Sequence, residues 1–173
     1  MKNTPENNSH GFVRVSKAAS QVAHRVATVF ARLQPETVLP SSGDGRMVLP
    51  ASWSIAGGPE FDSLVERPFR ITYYEKFTLA LMPGVAWDAY LAEMRKRHPD
   101  ATDSAFRLIY VDDARSLNIG SHRRWAIPAR WEKYLQPGGT VTELVLRPEI
   151  FWIRVVRRTT DDEATARALA ELG

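Results

Sequence analysis

Two arginines occupy the same place in two copies of one short pattern. Arg46-Met47-Val48-Leu49-Pro50-Ala51-Ser52-Trp53 and Arg124-Trp125-Ala126-Ile127-Pro128-Ala129-Arg130-Trp131 share R-x-x-[L/I]-P-A-x-W at an offset of 78 residues. A guanidinium is a rigid fork of donors that pairs bidentately with guanine or clamps a phosphate oxygen pair. Beside a turn it serves equally well as a structural ion-pair partner, and the residue type alone leaves both roles open. In the second copy the arginine closes the run His122-Arg123-Arg124, three potential cations at a loop-to-strand edge. Asp44 and Gly45 precede the first. Arg130 and Lys133 follow the second and read as phosphate contacts or as the solvated face of a short helix. Arg95-Lys96-Arg97 and Arg157-Arg158 end a helix and a strand, where basic residues complement the helix dipole or cover ordinary surface.

Catalytic chemistry finds little to work with. The chain has no cysteine, which removes disulfides, thiolate zinc sites and thiol nucleophiles. Histidines stand at 10, 24, 98 and 122, without metal-ligand spacing. There is no G-x-S-x-G elbow. Gly43-Asp44-Gly45-Arg46 resembles the start of a phosphate loop but lacks its Lys-Ser/Thr ending. Asp112-Asp113 reads as a helix or turn cap. A non-enzyme without metal or cofactor is therefore expected. The net charge of +3 does not by itself point to nucleic acid. Residues 1–40 hold five basic and two acidic groups, so a nucleic-acid footprint would have to come from local clusters. No run approaches the roughly 18 apolar residues of a membrane span, and a cytoplasmic location is expected.

Elements must then hold these cations. Residues 1–10 are polar and lack periodicity, which reads as disorder. Val15, Ala19, Val22, Val26, Val29 and Leu33 form one helical stripe. Lys17, His24, Arg25 and Arg32 fall on the other face, and no acid stands between Gly11 and Gln34. Three readings fit this segment: a helix packed on its own domain or a sister subunit, a basic arm on DNA phosphates, and a cleaved targeting peptide. Gln34 to Gly45 reads as linker. Phe69–Tyr74 and Phe77–Met82 read as strands around a turn near Glu75 and Lys76, and Gly84–Arg97 as a helix with Trp87, Tyr90, Leu91 and Met94 on one face. A helix is expected over Asp103–Tyr110, extended chain over 115–127, and a short helix opened by Pro128 as its first residue. Val141–Val156 reads as strand broken near Pro148. Thr160 and Glu163 form a capping box for a C-terminal helix over 161–172.

One copy of the repeated pattern is a strand and a helix start, with Leu or Ile and Trp as core residues. Such a piece cannot bury its apolar face alone, and two copies can pair into a pseudo-symmetric barrel. Both copies are followed by an Arg-Pro pair, Arg67-Pro68 and Arg147-Pro148.

At these residues the chain resembles the MraZ family, a branch of the SpoVT/AbrB-type transcription factors, whose members carry two motifs written roughly L-D-x-x-G-R-x-x-I-P. The first copy reads Ser41-Ser42-Gly43-Asp44-Gly45-Arg46-Met47-Val48-Leu49-Pro50, the second Ile119-Gly120-Ser121-His122-Arg123-Arg124-Trp125-Ala126-Ile127-Pro128. Arg70-Ile71-Thr72 through Leu79-Ala80-Leu81-Met82-Pro83 resembles the family's hairpin, and Trp87 its helix Trp. The likeness spans about residues 37–155. The motif Asp is Ser42 in one copy and Gly120 in the other, while the motif Gly is kept as Gly45 and replaced by Arg123.

The resemblance implies an α+β, mainly β fold, with tandem AbrB-type swapped-hairpin repeats forming a pseudo-symmetric β-barrel flanked by helices. The organisation expected is an N-terminal extension with a basic helix (1–36), a first repeat with its helix (37–100), a second repeat (101–158) and a C-terminal helix (159–173). It also implies a nucleoid-associated regulator, typically a repressor of division and cell-wall genes. Its partners would be double-stranded DNA, as tandem direct repeats upstream of its own operon, and further copies of itself in a ring. Arg46, Arg124, Arg123, His122, Gly45, Asp44 and Arg130 are the expected DNA-binding residues. The alternative is a ring-forming assembly protein that kept the fold and lost operator binding.

Overall fold

The computed structural model describes residues 16–40, 46–137, 143–157 and 168–173. Val15, Asp44, Gly45, Arg158 and the capping box at Thr160 and Glu163 lie outside the described residues. Among the described ones, strands β1 (Thr37–Pro40), β2 (Arg46–Val48), β3 (Phe69–Glu75), β4 (Thr78–Pro83), β5 (Arg115–Leu117), β6 (Arg124–Ala126), β7 (Glu143–Glu149) and β8 (Trp152–Arg157) alternate with helices. The helices are α1 (Lys17–Phe30), α2 (Ala51–Val65), α3 (Trp87–Arg97), α4 (Asp103–Phe106) and α5 (Ala129–Leu135).

The protein is α+β, with most strands in one antiparallel sheet of order β1-β7-β8-β4-β3-β5 and a separate ribbon of β2 with β6. That order reads the same from both ends once the halves are exchanged. Each leading strand pairs with the other half's hairpin: β1 on β7 with Thr37 opposite Leu146, and β5 on β3 with Arg115 opposite Ile71. The two hairpins, β3–β4 and β7–β8, join through β4 and β8, where Leu79 faces Val155. β1 and β5 are the outer strands of the described sheet, and the described pairings do not close it.

Side chains alternate across a strand with period two, and here both faces are covered. Leu79, Leu81, Ile71, Leu146, Ile153 and Val155 face one core, which the repeats supply with Met47, Trp53, Trp125 and Trp131. Ala80, Met82, Tyr74 and Trp152 face a second core built with Tyr90 and Met94 of α3 and with Phe106 and Tyr110. Each large side chain so buried contributes about 1.5–3 kcal/mol. Helix α1 starts at Ser16, whose Oγ accepts the Ala19 N–H at 3.1 Å. Of the expected stripe, Val26, Val29 and, beyond the helix end, Leu33 are buried in the first core, with Phe30 beside them, while Ala19 and Val22 are half-buried. It packs against α2, α3 and the short 3-10 turn Gly84–Ala86.

Several boundaries differ from the sequence reading. The stretch read as linker contains β1, a four-residue outer strand ending at Pro40. The first hairpin turns at Lys76-Phe77, with Phe77 at φ 57°. The second turns at Ile150-Phe151, not at Pro148, which pairs opposite Ile153 within β7. Pro148 fits there because β1 ends its pairing at Leu146, so the side where an N–H is missing has no described neighbour. Pro50 and Pro128 are N-caps with extended ψ of 137° and 139°, so the helices begin one residue later than expected. Extended chain over 115–127 is confined to β5 and β6, with turns between. The helix expected over Asp103–Tyr110 is α4 continued by a π-helical turn, Arg107–Val111.

Candidate nucleic-acid interface

The two repeats meet as one antiparallel ribbon. Met47 lies opposite Trp125, Arg46 opposite Ala126, and Val48 opposite Arg124. Swapping the halves maps each strand onto the other, so the Met47–Trp125 pair is the centre of a local pseudo-twofold. Strand alternation then sorts the side chains. Met47 and Trp125 point into the core, 1% and 4% exposed, while Arg46, Val48, Arg124 and Ala126 lie on the outer face. Arg46 and Arg124 are diagonal neighbours across the ribbon, a relation that sets residues about 7–8 Å apart with their Cβ atoms somewhat closer.

The residues flanking the ribbon divide into free and engaged cations. Among the described residues nothing holds the Arg124 guanidinium, and His122 is exposed in the preceding loop. Arg46 shares the outer face and keeps an interaction of its own. Arg123 turns back: its carbonyl accepts the Leu49 N–H at 2.8 Å, and its Nε donates to the Leu49 carbonyl at 3.2 Å. It thereby prolongs the ribbon, and it does so at φ 55°, the left-handed region that favours glycine. Arg130 bonds Asp113 at 2.5 Å, and the neighbouring Trp131 Nε1 donates to the Asp113 carbonyl at 3.0 Å. That aspartate ties α5 to the segment before β5, so Arg130 is a structural partner first.

Of the remaining basic clusters, Arg95, Arg97 and Arg157 are engaged within the fold. Arg95 bonds Asp103 at 2.8 Å and the Ala101 carbonyl at 2.7 Å. Arg97 donates to the Tyr74 hydroxyl at 2.8 Å, while that hydroxyl donates to Glu149 at 3.0 Å. Arg157 donates to Gln136 at 2.5 Å. Lys133 is exposed on α5. Among the described residues no group of histidines and carboxylates could hold a metal, and no helix is long and apolar enough to cross a membrane.

Sequence reasoning named the cations of this face and missed Val48, an apolar side chain 47% exposed between them. Its place in the first repeated pattern was visible, but the face it occupies depends on the register of the ribbon. No family model and no curated protein matches the chain.

Proposed function

We propose that the protein is a sequence-specific DNA-binding transcriptional regulator that presents the outer face of the β2–β6 ribbon to the major groove. The observation that carries this reading is the Met47–Trp125 pairing, which sets Arg46 and Arg124 on one exposed face. A two-stranded ribbon fits a major groove about 12 Å wide. Arg46 and Arg124 reach guanine edges, Val48 offers its methyls to a thymine methyl, and His122 lies beside the phosphate backbone. No catalytic role is proposed for any residue.

The exchanged hairpins and the palindromic strand order support a swapped-hairpin barrel as the complete architecture. Repression of division and cell-wall genes, a nucleoid location, a ring of copies and tandem direct repeats as operator are what the likeness to the MraZ family suggests. One ribbon makes few contacts, and several copies on spaced sites would multiply its affinity.

The test is binding of DNA from upstream of the protein's own operon, measured over a salt series. Arg124→Ala and Arg46→Ala should each weaken specific binding by about 1–3 kcal/mol and relax preference at different base pairs. Arg130→Ala should leave sequence preference unchanged. Unaltered affinity and salt slope in a folded Arg46→Ala/Arg124→Ala double variant would refute the assignment. A second reading, assembly without DNA binding, draws on the engagement of Arg123 and Arg130 inside the fold. Oligomers that shift no DNA even at low salt would favour it.

A further inference from the structure

Helix α2 is broken in its middle. Gly58 has φ 65° and ψ −160°, a conformation open in practice only to glycine, and Pro59 restarts the helix behind it. Gly57 is equally constrained: a Cβ there would lie 2.4 Å from the Phe61 Cβ. The corresponding helix of the second repeat, α5, runs only from Ala129 to Leu135 without such a break. The kink swings the second half of α2 alongside α1 and leaves a cleft of about 640 Å³ between them. Its floor is apolar, from Val22, Val26 and Val29 of α1 and Leu64 of α2. Arg25 and Arg67 line the same cleft. Neither guanidinium has an ion-pair partner among the described residues, and Glu60, the one carboxylate in the cleft lining, is taken by Arg32 at 2.9 Å. Pockets of this volume, mostly apolar with a few charged groups, hold small organic ligands. Strained backbone is retained where a site needs it.

We propose that this cleft binds a small amphipathic carboxylate, with its apolar body on the valines of α1 and its carboxylate between Arg25 and Arg67. Two guanidiniums without carboxylate partners beside an apolar floor are complementary to that ligand and to neither a neutral oil nor a cation. The proposal does not rest on DNA binding and can fail or stand separately from it.

Calorimetry and thermal shift on the full chain, with decanoate and decanol below their aggregation limits, test it. Saturable binding of decanoate should raise the melting temperature, and decanol should bind at least tenfold more weakly. Arg25→Ala/Arg67→Ala should abolish that preference while leaving decanol binding within twofold. Ser63→Phe, at an exposed position of the cleft wall, should block both ligands with the fold intact by circular dichroism. Absence of decanoate binding would overturn the proposal. So would equal affinity for alcohol and acid, undiminished binding in Ser63→Phe, or association with anionic vesicles alone.

Discussion

At Arg123 two local forces oppose each other. A left-handed conformation costs a non-glycine residue about 1–2 kcal/mol, yet the side chain returns about 0.5–1.5 kcal/mol through its bond to the Leu49 carbonyl. Arg123→Ala removes the bond and keeps the strain. Arg123→Gly removes both. The glycine variant should therefore be the more stable of the two by about 1 kcal/mol, against the usual preference for alanine. Denaturant midpoints of the two variants decide it, and a less stable glycine variant would mean that the loop relaxes. The twin tryptophans offer a second comparison. Trp131 Nε1 has the Asp113 carbonyl as acceptor, whereas Trp53 Nε1 is buried without a partner. Trp131→Phe loses a hydrogen bond and leaves a carbonyl wanting, at a cost of about 1–3 kcal/mol. Trp53→Phe gives up no bond, and its cost should be smaller than that of Trp131→Phe in the same unfolding experiment. Equal losses at the two positions would show that ring volume, not the indole N–H, governs both sites.

At the scale of elements, the second core is held by phenols. Tyr90 on α3 donates to the Tyr73 carbonyl at 2.6 Å, and burial pushes its pKa well above the ordinary value. Burial likewise pushes Tyr110 of the π-helical turn up to about 12. The fold thus favours the neutral phenols, while the unfolded chain releases its protons near pH 10. Between those values the unfolded state binds fewer protons, so stability falls as pH rises. Urea midpoints should hold steady to about pH 9 and decline toward pH 11, and Tyr110→Phe should flatten that decline. A decline of the same slope in the variant would remove Tyr110 from the account. These elements were unevenly legible. α1 and α3 announced themselves by period, and the hairpins by β-branched and aromatic runs. β1 was hidden because Thr37-Val38-Leu39-Pro40 is short and lies between prolines, which are tolerated on outer strands but also punctuate loops. The first hairpin turn was displaced because Phe77, an apolar residue, takes the positive-φ position usually held by Gly or Asn. The cations of the ribbon were plain in the repeated pattern. Which of them shares a face depends on a register between residues 78 positions apart in the chain, and no local signal carries that. The cleft did leave a trace in Gly57-Gly58-Pro59, a breaker triplet inside an otherwise helical stretch.

For the whole molecule, the exchange of strands means that neither half holds a complete set of hydrogen-bond partners. β1 needs β7, β5 needs β3, and β2 needs β6. An isolated first half would expose the open edges of β3 and β4 and the apolar faces of Leu79, Leu81 and Trp53, all fully buried in the intact chain. Its stability would then have to come from a second chain. Residues 1–100 alone should be unfolded or dimeric, never a folded monomer, because two copies could reproduce the pseudo-twofold with each first repeat standing in for the second. The antiparallel ribbon permits this: Met47 would face Met47 in place of Trp125. Co-expression of 1–100 with 101–173 should instead yield a one-to-one complex with the spectrum of the intact protein. Light scattering and circular dichroism on the separate and joined halves distinguish these cases. A folded monomeric 1–100 would show that the first repeat closes its own core, and the account of two halves completed by exchange would have to be abandoned.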